Sequence, residues 1–275
     1  MGGSTVVIGW GLGAALLILV GLAVAADATG SLGLAGNVAT AAVRAVVQLG
    51  VVSGIIVAVV RSLWLACGFV LVMFTIAVLT SGRRMTPRRS GLLAAVPIAA
   101  GTVPVLAVVL GAGAVPLTGI AMVPVSGIVI GGAMTATSVA GRRALDELRS
   151  RHGEYEAGLS LGLRERDAAL EVARPSAAQA LVPPLDQTRT VGLVTLPGAF
   201  VGVLIGSGDP VQAGAAQVLV LIGLLAAESV AVVVTLELVA RGWISRPADA
   251  HGANPTTSER RRRRLWSGMR KRVSG

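Results

Sequence analysis

The stretch VQAGAAQVLVLIGLLAAESVAVVVTLELVA, running from Val211 to Ala240, holds two carboxylates, Glu228 and Glu237, and no lysine or arginine. A helix needs about 20 predominantly apolar residues to cross the hydrocarbon of a bilayer, and this run exceeds that length. Working outward, stretches of the same character recur at Val6–Ala26, Val38–Val60, Ser62–Thr80, Gly91–Ala114, Leu117–Ala140 and Val191–Gly206. The expected fold is therefore all-α: a polytopic transmembrane helix bundle of about seven crossings. Only Arg61 separates the second crossing from the third, and the sixth is short and contains Pro197.

Composition agrees. Hydrophobic residues make up 53% of the chain and charged residues 14%, with a mean hydropathy of +0.76, which excludes an ordinary soluble domain. The single cysteine, Cys67, falls inside an apolar run, so no disulfide framework is available.

Arginine placement sets the expected orientation, because Lys and Arg collect in cytoplasmic loops. An N-out, C-in topology puts Arg83, Arg84, Arg88 and Arg89 inside, together with the block from Arg142 to Arg189 and the tail from Arg241 to Arg272. Arg61 is then the one clear exception. A cleaved secretory signal ending near Ala23–Ala26 fits poorly: no basic residue precedes the run, and the six crossings left, starting outside, cannot place both Arg83–Arg89 and the tail in the cytoplasm. The expected location is the cell membrane, multi-pass. Residues 1–245 read as the permease domain, with a cytoplasmic loop at 141–190, and 246–275 as a basic tail.

The net charge of +10 lies mainly in those inner segments, so nucleic acid is not the expected partner. Arg260 to Arg264 precede Leu265, Trp266, Met269 and Val273, which share one face at helical spacing. Anionic lipid is the expected contact if that segment folds; a solvated tail is the alternative.

Several chemistries are missing. A phosphate-binding loop needs a lysine behind a glycine-rich turn, yet the only lysine is Lys271, in the tail. The two histidines, His152 and His251, are far apart and outside the crossings, so no zinc-type cluster forms. No Gly-x-Ser-x-Gly elbow is present. The chain is expected to be non-catalytic and to bind no cofactor, with its metal ligands, if any, unknown.

The longest polar segment, Arg142 to Gln187, reads as helix, glycine, helix. Ala144 to His152 continue the fifth crossing; Leu159 and Leu161 precede Gly162, and Ala168, Leu170 and Val172 follow it. Pro175 and then Pro183-Pro184 are expected to end the helical runs. Within it, Glu156-Ala157-Gly158 stand four residues before Gly162, with Val172 ten residues after that glycine, then Pro175. This resembles the coupling loop of ABC-transporter permeases, in which two short helices joined at a glycine insert into a groove of the cytoplasmic ATPase. Glycine permits the sharp reversal. Gly158 stands in place of an alanine and Arg174 in place of a leucine, so the match is partial; an amphipathic interface helix is the plainer reading.

Further segments are more specific. Asp186-Gln187-Thr188, Thr190-Val191-Gly192-Leu193-Val194-Thr195-Leu196-Pro197-Gly198 and Gly208-Asp209-Pro210-Val211 resemble one permease family. So do Arg44-Ala45-Val46-Val47-Gln48-Leu49, Val123-Pro124-Val125-Ser126-Gly127, and Gly131 to Met134. The family is the FetB-type iron-export permeases, related to the plant aluminium-tolerance half-transporter permeases, and the likeness spans roughly residues 5 to 245. It implies a permease that dimerises with a second copy and pairs with a separate ATPase, which carries the ATP and Mg. It also implies iron as the leading cargo, although substrate choice drifts within a fold.

Ionisable residues inside a crossing are costly and usually functional or paired. Arg44 and Gln48 share a face one turn apart. Glu237, near the inner end, is expected to pair with Arg241 at i+4. Glu228 has two readings: it neutralises a cation or Arg44, or it is a hydrogen-bonded packing residue. A gradient-driven secondary transporter or channel using Glu228 is thus the alternative function. Met73, Met122 and Met134 read as core filling. Gly127 and Gly131, and Gly198, Gly202 and Gly206 behind Pro197, recur at four-residue spacing, which opens a groove for close helix approach. Thr190 or Thr195 are expected to satisfy backbone groups freed by Pro197.

Overall fold

The computed structural model describes residues 9–87 and 89–246, so the basic cluster at Arg260–Arg264 lies outside the described residues. The chain divides into two compact units at Ser62. Among the described residues six helices are long and apolar enough to cross a membrane, and no strand is present.

The first unit contains α1 (Trp10–Thr29) and α2 (Ala35–Arg61). Their connection is tight because its backbone is capped from within. Asp27, buried, accepts from the Leu34 amide through Oδ2 at 2.9 Å. Ser31 and Gly33 take the positive φ values, 52° and 73°, that reverse the chain.

The second unit begins with α3 (Leu63–Met85), followed by a short 3₁₀ turn (Arg89–Ala94) that feeds α4 (Ala95–Gly111). Helix α5 (Gly119–Ser150) comes next, then α6 (His152–Ser160), α7 (Glu165–Ala178), α8 (Val182–Thr190), α9 (Gly198–Ser207) and α10 (Pro210–Ala240). Helices α3, α5 and α10 run parallel and α4 antiparallel, as the matching of Gly127 with Met73, Gly132 with Glu228, Gly141 with Met85 and Thr235, Gly101 with Ala227 and Gly223 with Val105 shows. The core between them is built from small side chains, including Ala77, Ala133, Ala136, Ala140 and Ala231. A hydrogen bond of 3.0 Å joins the buried hydroxyls of Ser138 and Ser81.

Glycine lets the backbones approach. A Cβ on Gly101 would lie 2.3 Å from the Ala227 carbonyl oxygen, and one on Gly82 would lie 2.5 Å from that of Gly91. Such contacts are the usual means of packing helices where water supplies no driving force.

At its arginine-rich end α5 outruns the bilayer: its 32 residues extend about 48 Å, against roughly 30 Å of hydrocarbon. The same end is tied together after α10, where Arg246 donates to the Met85 carbonyl at 2.8 Å and pairs with Asp146.

Three expectations change. The sixth predicted crossing, Val191–Gly206, contains only a ten-residue helix, Gly198–Ser207, about 15 Å long and too short to span alone. Pro197 caps its start in an extended conformation, and ahead of it the chain turns, with Gly192 at φ 81° and its amide bonded to the Thr195 carbonyl at 2.9 Å. The Thr190 carbonyl accepts from the Leu193 and Val194 amides. Second, Pro175 does not end a helix: α7 continues to Ala178. Its ring removes the bond to the Glu171 carbonyl, but that residue is exposed, so water can take the donor's place. Third, Pro183-Pro184 start α8 instead of stopping α7, since proline is tolerated in a first helical turn where no amide is needed.

Candidate functional site

The helix–glycine–helix segment forms as an exposed hairpin whose two arms differ in character. Helix α6 follows α5 after a single non-helical residue, Arg151. Arg151 is fixed by its neighbours: its Nε donates to Glu154 Oε1 at 2.6 Å, and Nη1 donates to Glu147 on α5 at 3.3 Å. That pairing holds the Glu154 carboxyl below the usual carboxylate range, while burial pushes the Tyr155 phenol up.

No residue of α6 is buried. Glu156 points outward, its side chain 65% exposed and bonded only along the helix, to His152 at 3.3 Å. Ala157 and Ser160 are exposed beside it, and Leu161 presents an apolar tip that is 86% exposed. The turn is closed by amide bonds from Gly162 to the Leu159 carbonyl and from Leu163 to the Gly158 carbonyl. Gly162 sits at φ 91°, which any side chain would strain.

Helix α7 is the opposite case. Ala168, Ala169, Leu170, Val172, Ala173 and Ala177 are buried against α5 and α10, while Arg174 and Pro175 stay exposed. The two arms meet at Gly158, where a Cβ would lie 3.2 Å from Ala168 Cβ and 3.4 Å from Leu163 Cδ1. Gly158 therefore serves the close approach of α6 to α7. A small cavity between the arms is lined by Arg151, Glu154, Leu163, Glu171 and Val172.

An ion pair and hydrogen bonds fasten this hairpin to the membrane helices. Glu237 on α10 accepts from Arg241 at 2.6 Å, the expected i+4 pair, and also from Arg166 on α7 at 2.7 Å. Glu147 on α5 accepts from Ser176 at 2.8 Å, and Arg143 pairs with Gln179. The Arg166–Glu237 and Ser176–Glu147 contacts escape sequence reasoning, since partners 71 and 29 residues apart leave no periodic trace; Arg151, four residues after Glu147 and three before Glu154, could have been found from its spacing.

The remaining candidates are scattered. Arg44 and Gln48 lie exposed on α2, in the first unit. Glu228, on α10, is only 7% exposed, and its Oε2 has no hydrogen-bond partner; the buried hydroxyls of Thr102 and Thr137 have none either. Its other oxygen lies against Gly132, where a Cβ would meet Oε1 at 2.7 Å. Gly132, not Gly131, thus admits α10 at the level of Glu228. Gly127 receives the Met73 side chain, whereas Gly131, Gly198, Gly202 and Gly206 meet nothing within 4 Å. Gln217 on α10 caps α9, accepting from the Phe200 amide at 3.1 Å. Among the described residues, no three of His, Cys, Asp and Glu gather as a metal site.

Comparison with known proteins places this architecture. The chain is 33% identical over 225 residues to the UPF0014 membrane protein STAR2 of Oryza sativa subsp. japonica, covering 80% of this chain and 78% of that one. It is 31% identical over 212 residues to the protein ALUMINUM SENSITIVE 3 of Arabidopsis thaliana, covering 76% and 77%. To the probable iron export permease protein FetB of Escherichia coli (strain K12) it is 31% identical over 136 residues, 50% of this chain and 52% of that one. No solved structure matches. Residues 10–244 match the profile of the family described as Uncharacterised protein family (UPF0014), and with six apolar spanning helices behind that match, the chain belongs to this family of multi-pass membrane proteins.

Proposed function

We propose that this chain is the membrane-spanning permease subunit of an ABC transporter, driven by a separate ATPase that carries ATP and Mg. The observation that carries the reading is the division of labour in the hairpin: an exposed α6 joined through Gly162 to a buried α7. A partner can grip the first arm, and the second passes displacement to α5 and α10. Glu156, Ala157, Gly158, Gly162, Val172 and Pro175 belong to this coupling element, facing the cytoplasm in an N-out, C-in chain at the cell membrane. The likeness to a probable iron export permease supports export of a metal ion, iron first. A permease homodimer completes the assembly, and the open glycine ladder on α9 supports it as a second copy's contact.

Co-purification with an ATPase that carries a phosphate-binding loop tests the reading. Gly162→Pro, and reversal of charge at Glu156, are expected to abolish permease-stimulated ATP hydrolysis while the chain still inserts. Normal stimulation in both variants overturns the coupling assignment. A second reading, a gradient-driven carrier, rests on the partnerless buried oxygen of Glu228. It predicts ATP-independent cation flux that Glu228→Gln removes.

A further inference from the structure

Helix α7 is held at its two ends by different membrane helices. Near its start, Arg166 Nε donates to Glu237 Oε1 at 2.7 Å and Nη2 donates to Oε2 at 2.8 Å. This is a two-pronged guanidinium–carboxylate contact between α7 and α10. Near its far end, Ser176 Oγ donates to Glu147 Oε2 on α5 at 2.8 Å. Between these points the buried face of α7 holds Ala168, Ala169, Leu170, Val172 and Ala173, so the directional bonds to the membrane helices lie at its two ends.

We infer that Arg166 is a positioning residue that carries movement of the α6–α7 hairpin into α10 through Glu237. The inference rests on the coupling reading above and assigns its route. Arg166 lies about one helical turn beyond the Gly162 reversal, so displacement of the exposed arm reaches it early. A paired fork is directional: it resists both separation and twist. Arg241 holds the same carboxylate from within α10, at 2.6 Å, and so keeps Glu237 turned toward the α7 side without itself crossing between elements. The side chains of Arg166 and Glu237 are 45% and 27% exposed, so either group left alone stays hydrated and is not a buried unpaired charge. Loss of the pair should therefore spare folding and cost transmission.

The test uses the full chain in lipid nanodiscs with the ATPase subunit that co-purifies with it. Cys67 is replaced by serine, and spin labels are attached at Val108→Cys on α4 and Ile222→Cys on α10, both on exposed faces. The readout is the change in label separation on adding ATP and Mg. R166E and E237R are each expected to keep the ATPase bound and the unfolding temperature near that of the parent, while the population that shifts its label separation on adding ATP falls by about threefold or more, within the range of direct side-chain couplings. The swapped pair R166E/E237R, made together with D167N and R241Q so that neither exchanged charge faces a like one, restores it. Where a charge reversal impairs insertion, Arg166→Gln is read in its place. An undiminished response in the single variants, or no recovery in the swap with the ATPase still bound, overturns the role of Arg166. Failure of the parent chain to retain any ATPase overturns the coupling reading itself, a result visible before any variant is measured.

Discussion

At the scale of single residues, the second unit depends on which glycines face a neighbouring backbone. Gly101→Ala would drive a Cβ to 2.3 Å from the Ala227 carbonyl oxygen. A carbonyl in a helix cannot step aside, so the variant is expected to lose about 1–3 kcal/mol. Gly202→Ala, with nothing within 4 Å in the single chain, should leave stability unchanged or raise it by up to about 1 kcal/mol through alanine's better helix propensity. Thermal unfolding in detergent checks both, and equal losses would contradict the packing described. Glu228 gives a second comparison. Its Oε2 is buried without a partner, a costly arrangement, so Glu228→Gln should leave the unfolding temperature unchanged or raise it. A marked fall would mean that the carboxylate is engaged by a bound cation or a second chain. None of this selectivity is visible in the sequence, where Gly101, Gly132 and Gly202 look alike. Their difference lies in what stands opposite.

At the scale of elements, the hairpin turn is the sensitive point. Gly162 at φ 91° cannot become alanine without about 1–2 kcal/mol of left-handed strain. Gly162→Ala is expected to raise hydrogen exchange across α6 while leaving α5 and α10 protected; uniform protection in α6 would show that the turn tolerates a side chain. The existence of this hairpin was legible from glycine spacing and two runs of helical period. Its proline punctuation was not. Pro175 lies on an exposed face of α7 where a missing amide bond costs little, and Pro183-Pro184 fall where a helix begins. Proline marks a helix boundary only when the freed carbonyl has nowhere to turn, and that depends on exposure. The shortness of α9 was partly foreshadowed by Pro197, but the capping of its start by Gln217 was not.

At the scale of the whole molecule, the proposed sidedness is open to direct measurement. Ser160, at the tip of α6, and Ser207, at the end of α9, belong to opposite ends of the second unit. In a Cys67→Ser background, cysteines placed at these positions should react with a membrane-impermeant maleimide from opposite sides, Ser160→Cys only from the cytoplasm. Labelling of both from outside would end the proposal that α6 meets a cytoplasmic ATPase.

The sequence by itself determined that the chain is an all-helical, multi-pass membrane protein, roughly where its helices lie, and that a helix–glycine–helix segment follows the fifth of them. Those properties follow from local quantities: run length against bilayer thickness, helical period and the freedom of glycine. Only the tertiary structure decided that Arg166 meets Glu237, that Gly132 and not Gly131 receives Glu228, and that one arm of the hairpin is exposed while the other is buried. These are properties of facing surfaces. Which surfaces face each other is fixed by how the helices pack, and no single stretch of residues contains that information.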